Sequence, residues 1–167
     1  GEIKAISNLS RNSNGEYSEQ YNYAVGSQGA REPGSTFKLA SMIALLEDSD
    51  IELTDTVDTG NGVMKFFNET MRDHKPGGYG VLTVQEVFEK SSNIGTAKLI
   101  TKQFGAKPSR YTDYIKKIGL DKPLGFQMVG EGVPYIKDPT DSTWSGISLP
   151  WISHGYELKM TPLQTLT

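Results

Sequence analysis

A chain of 167 residues, 36% hydrophobic and 22% charged, is sized for one domain with a real core, because a polypeptide of this length buries roughly 68–70% of the surface its unfolded form exposes. A net charge of −3 excludes the basic footprint of a nucleic-acid-binding domain and a polybasic membrane patch. With no cysteine there is no disulfide or thiolate metal site, and the two histidines, His74 and His154, fall in no metal-binding spacing, so neither metal nor cofactor is expected.

In chain order, residues 2–10 alternate in part and precede Asn12-Ser-Asn-Gly15, which predicts a strand, a turn and a second extended piece through Tyr17–Val25. Residues 26–34 read as loop. Ser35–Glu47 reads as a buried helix, apolar nearly all round, with one charge, Lys38, set into it. Residues 51–82 hold several short pieces between Gly60, Gly62, Pro76, Gly77, Gly78 and Gly80. Thr83-Val-Gln-Glu86 has capping-box spacing and starts a helix running to about Lys90. Asn93 is expected to cap the next helix, which Gly105 ends. A third, amphipathic helix runs from Pro108 to Ile118 and stops at Gly119. Residues 120–150, rich in Gly, Pro and Asp, predict a long surface excursion. Thr161-Pro-Leu-Gln164 is a strong helix start, yet the chain stops at Thr167, whereas helices average about 11–12 residues. The chain is therefore read as a piece cut from a longer one. No apolar run reaches the ~20 residues of a membrane span and no signal peptide opens the chain, so an anchor or export signal is expected outside it.

Lys38 is the residue that does not suit a buried helix. It follows Ser35 by three positions, so the two share a helix face with Cβ atoms about 5–6 Å apart. Ser35 falls at the helix start, where free N–H groups favour a developing anion. Burial disfavours the ammonium form, and a neutral amine beside a hydroxyl is a general base beside a nucleophile. Ser-x-x-Lys alone fits equally a helix cap followed by a lysine that reaches solvent. A second element lies 56 residues on: Ser91-Ser-Asn93, at a junction where one helix ends and another begins. Ser and Asn are also ordinary cap residues there.

Together the two elements resemble the penicillin-binding protein transpeptidases, whose motif set is S-x-x-K, S-x-N and K-T-G. The flanks E-P-G-S-T-F-K-L-A at 32–40, E-K-S-S-N-I-G-T-A-K at 89–98 and G-Y-x-L-x-M-T-P-L-Q at 155–164 are similar to the class B members, the monofunctional transpeptidases of division and elongation. The resemblance spans essentially the whole chain. It implies an α/β (α+β) fold: a partial penicillin-binding protein or serine β-lactamase-like domain, with mixed helices and an incomplete antiparallel sheet. Residues 1–167 would form a single unit, the N-terminal part of a transpeptidase domain. Ser35 is implied as the acyl-accepting nucleophile and Lys38 as the base that takes its proton. Ser91 would relay a proton to the leaving group. Asn93 would bind the peptide backbone and help fix Lys38, and the Ser35 N–H would supply half of an oxyanion hole.

The implied partners are a peptidoglycan stem peptide ending in D-Ala-D-Ala and β-lactam antibiotics, with no nucleic acid. A membrane-anchored parent would work in a cell-wall synthesis complex on the periplasmic side of the bacterial inner membrane. The sequence departs from the pattern in one respect: no K-T-G or K-S-G occurs in it. Losing one oxyanion donor alone costs 10²–10³ in rate, so the isolated chain is expected to be little active, to leave core residues uncovered and to self-associate. A class D-like β-lactamase or a β-lactam sensor also carries S-x-x-K, but usually S-x-V where Asn93 closes the second motif here. An inert structural fragment is a further alternative. Asp58-Thr-Gly60 invites an aspartic-protease reading, which needs two such aspartates, and only one is present. The glycines at 60–62 and 77–80 fit no phosphate-loop pattern and read as turns.

Overall fold

The computed structural model describes residues 2–167. The helix with the embedded lysine, α1 (Lys38–Glu47), is entered through a 3-10 turn, Gly34–Phe37, so the predicted helix from Ser35 begins tighter than an α-helix. Around α1 pack α2 (Val84–Glu89), α3 (Asn93–Phe104) and α4 (Pro108–Lys117), while α5 (Ser148–Ile152) lies against α3. The shared core contains Phe37, Ala44 and Leu45 of the first helical segment, Val84 and Val87 of α2, and Ile100 and Phe104 of α3. Tyr111 and Ile115 of α4 complete it. Each such side chain contributes roughly 1.5–3 kcal/mol of burial. Two buried hydroxyls tie the helices: Ser41 Oγ and Tyr111 Oη lie 2.7 Å apart, and Ser41 Oγ donates to the Ser153 carbonyl at 2.6 Å.

The opposite face of α1 is open. Leu39, Ile43 and Leu46 stand exposed and, with Leu53 and Phe88, line an apolar groove that no element of the described residues covers. The helix is therefore buried on one side only, which corrects the expectation of burial all round.

Among the described residues the strands form four separate two-stranded antiparallel ladders. Strands β1 (Ser10–Arg11) and β2 (Tyr17–Ser18) pair with each other, as do β4 (Val63–Phe66) and β5 (Glu69–Arg72). Strand β3 (Thr56–Asp58) pairs with β6 (Val81–Thr83), and β7 (Tyr135–Ile136) with β8 (Leu158–Lys159). The Asn12–Gly15 turn forms as predicted: the Asn12 side chain accepts the Asn14 and Glu16 N–H groups, and Gly15 takes φ +83°. The strands flanking it shrink to two residues each, because the described chain offers residues 2–9 no neighbouring ladder.

Helix ends follow local chemistry. Thr83 and Glu86 close a reciprocal capping box, and so do Thr161 and Gln164 at α6 (Pro162–Leu166). Helix α4 runs as predicted and is followed by Gly119 at φ +86°. The excursion at 120–150 is only partly on the surface. Ile136 and Lys137 are buried beside β8, and the residues from Ser148 turn into α5, for which Gly and Pro content gave no signal.

Candidate active site

The turn that carries Ser35 is built from backbone. Gly34 adopts φ +59°, and its N–H donates to the Gly155 carbonyl at 3.0 Å. The two loops touch so closely that a Cβ on Gly155 would stand 2.0 Å from the Gly34 oxygen. Flanking bonds extend this strap. Arg31 and Met160 exchange both backbone hydrogen bonds at 2.9 Å, and the Glu32 carboxylate accepts the Glu157 N–H at 3.0 Å. Ser35 is thereby fixed at the mouth of the turn, exposed to solvent, while Lys38 one turn later is only 1% exposed.

The second half comes from the α2–α3 junction. Ser91 N–H donates to Phe88 O and Ser92 N–H to Val87 O, both at 3.0 Å. This is a Schellman closure, with Ser91 at φ +52° in the left-handed position that glycine usually takes. Ser92 caps α3, accepting the Gly95 N–H at 2.9 Å. That corrects the expectation that Asn93 is the cap: the cap falls one residue earlier, which frees the Asn93 side chain. Its Nδ2 donates to the Arg72 carbonyl at 2.8 Å and its Oδ1 faces Lys38.

The four residues singled out in the sequence converge on one atom. Lys38 Nζ lies 2.6 Å from the Ser91 carbonyl, 2.7 Å from Asn93 Oδ1, 3.0 Å from Ser91 Oγ and 3.2 Å from Ser35 Oγ. The first two partners can only accept. A neutral amine has two N–H groups, and these two oxygens use both. Its lone pair is then left to the two hydroxyls, which can donate. Burial pushes the Lys38 ammonium down to about 8 from an ordinary 10.5, partly opposed by the Asp73 carboxylate. Burial also holds His154 at about 4; a hydrogen bond to the Trp151 carbonyl opposes this, and the charge of Lys38 adds to it.

The family model for the penicillin-binding protein transpeptidase domain matches residues 1–167. The chain belongs to the penicillin-binding protein transpeptidase family. Among curated relatives of this chain, PbpB of Mycobacterium tuberculosis is 32% identical over 133 residues, covering 80% of this chain and 19% of that protein. The peptidoglycan D,D-transpeptidase FtsI of Escherichia coli is 30% identical over 136 residues, 80% of this chain and 21% of that protein. The chain thus spans about a fifth of these relatives' length. Among solved structures, the transpeptidase domain of Burkholderia pseudomallei penicillin-binding protein 3 aligns with TM-score 0.75 at 27% identity, over 86% of this chain and 41% of that one. Penicillin-binding protein 3 of Mycobacterium tuberculosis in complex with aztreonam aligns with TM-score 0.72 at 31% identity, over 86% of this chain and 30% of that one. These relatives place the chain among the class B members and give it their mixed helix-and-sheet domain fold.

In this chain the competing motifs are structural. Asp58 Oδ1 accepts the Gly60 N–H at 2.7 Å in a turn directly after β3. Gly62 and Gly78 meet backbone to backbone, with 2.2 Å between a Cβ built on Gly78 and the Gly62 nitrogen. Sequence reasoning missed Asp73, Ser92 and His154 around the site. Ser92 was legible in principle as the better cap of the Ser-Ser-Asn run. Asp73 and His154 carry no local pattern, because only the tertiary packing brings them to Lys38.

Proposed function

We propose that the chain carries the acylation centre of a peptidoglycan D,D-transpeptidase that cross-links the bacterial cell wall. The observation that supports this is the pairing of Lys38 with two acceptor-only oxygens and two hydroxyls. In the proposed reaction Ser35 Oγ attacks the carbonyl carbon between the two D-Ala residues of a stem peptide, and its proton passes to Lys38 Nζ. The oxyanion is held in part by the Ser35 N–H, which sits in the first turn, where no intrahelical carbonyl precedes it. The C–N bond then breaks. The proton travels from Lys38 through the Ser91 hydroxyl to the departing D-Ala amine, leaving an ester on Ser35. An amine of a neighbouring stem peptide attacks that ester and gives up its proton to the same base. The C–O bond breaks, the cross-link is made and Ser35 is regenerated. Asn93 holds Lys38 in place and, by its remaining polar capacity, the bound peptide.

A β-lactam enters as a mimic of the donor: its strained amide opens on Ser35 and the ester persists. The reading extends to an anchored protein at the periplasmic side of the inner membrane, acting in a cell-wall synthesis complex. A K-[TS]-G strand supplied by that protein would complete the oxyanion hole. The test is mass spectrometry of the intact protein after exposure to a fluorescent penicillin. A persistent adduct on the Ser35 peptide, absent in Ser35→Ala, is expected. Rapid hydrolysis of the drug, or labelling that survives Ser35→Ala, overturns the proposal.

A further inference from the structure

Strand β5 ends at Arg72, whose carbonyl holds the Asn93 side chain. The next residue, Asp73, is only 9% exposed and pairs with no lysine, arginine or histidine within ion-pair distance among the described residues. Its carboxylate accepts the Ser92 hydroxyl, 3.0 Å from either oxygen, and the Ile94 N–H at 3.0 Å. Its own N–H donates to the Gly62 carbonyl at 2.9 Å, which anchors it to the hairpin. A buried carboxylate without an ion pair needs compensation, and here it comes from the first turn of α3 and from the cation beyond it. The proposed reaction gives Asp73 no step, yet it touches Ser92 and Ile94, the two residues on either side of Asn93.

We propose that Asp73 is a positioning residue of the acylation centre, clamping the Ser-Ser-Asn junction through Ser92 and Ile94 while its carboxylate acts on Lys38 as an unbonded counter-charge. The inference rests on the proposed function. Asp73 carries the one negative charge that raises the Lys38 proton affinity, against the lowering by burial. From the other elements around Lys38 the titratable group is His154, after α5, which stays neutral down to about 4. Ser35, Ser91 and Asn93 are uncharged. Asp73 thus limits how far burial can depress Lys38, keeping it a base strong enough to take the Ser35 proton.

The experiment is the pH dependence of β-lactam acylation in the intact protein, wild type against Asp73→Asn. Wild-type acylation rises with pH through about 8 as Lys38 loses its proton. Asn keeps an acceptor for the Ile94 N–H but removes the charge, so this acidic limb moves down by about one pH unit. Asp73→Ser, a shorter neutral acceptor, serves as the second variant if Asn does not fold. A limb that stays at the wild-type pH in a folded neutral variant, whatever the plateau rate, overturns the inference and leaves the acylation centre standing. Failure of the wild type to be acylated at Ser35 overturns the proposed function, and this inference with it.

Discussion

Ser91 occupies a backbone conformation that ordinarily goes to glycine, at a cost of roughly 1–3 kcal/mol for a residue with a side chain. Its carbonyl and hydroxyl both reach Lys38 Nζ, and the left-handed turn is what aims the two groups at one atom. Strain and the contacts to Lys38 thus sit in the same residue. Ser91→Gly is expected to raise stability by about 1 kcal/mol, because the strain is relieved and the Schellman closure is kept. On the proposed mechanism, acylation should fall by 10²-fold or more, because the hydroxyl proposed to relay the proton is gone. Denaturant melts and labelling rates on one preparation check both halves; a less stable variant, or one of undiminished rate, contradicts this account. At this scale the sequence was informative about Ser35, Lys38, Ser91 and Asn93, since their spacings survive as contacts. It was silent on φ at Ser91, because a serine after a helix is normally read as a cap.

The elements meet at the glycine contact between the Ser35 turn and the strap from His154 to Met160. Gly155 sits at φ +92°, and a Cβ there would overlap the Gly34 backbone, so one methyl group both strains the strap and displaces the turn. Gly155→Ala is expected to cost about 2 kcal/mol or more and to slow acylation of Ser35, while leaving the α4 and β4–β5 regions unchanged. Hydrogen exchange resolved by segment checks this, and protection lost evenly over the chain contradicts it. Helix ends were legible because caps are local: Thr83, Thr161 and Gly119 act within a few residues of themselves. Strand extents were not. Residues 2–9 and Tyr17–Val25 carry a strand-like pattern, but a strand exists only where another chain segment accepts its hydrogen bonds. Asp73 and His154 escaped for a related reason, since their meaning lies in what packs against them.

For the whole molecule, the open apolar face of α1 sets behaviour in solution. Leu39, Ile43 and Leu46, with Leu53 and Phe88, make a contiguous patch of the kind that marks an interaction surface. The isolated chain is expected to associate as its concentration rises, and the double variant Ile43→Glu, Leu46→Glu to remain monomeric with its fold intact. Sedimentation velocity decides this; a wild-type chain that stays monomeric at high concentration contradicts it. The Lys38 contacts carry a consequence for assembly as well. Lys38 bonds to partners 53 and 55 residues further along, and Glu32, just ahead of the Ser35 turn, receives a bond from a residue 125 positions away. Long loops must therefore close before the site exists. During synthesis the serine and lysine emerge early, and they wait, without the partners that hold Lys38, until nearly all of this chain has followed them.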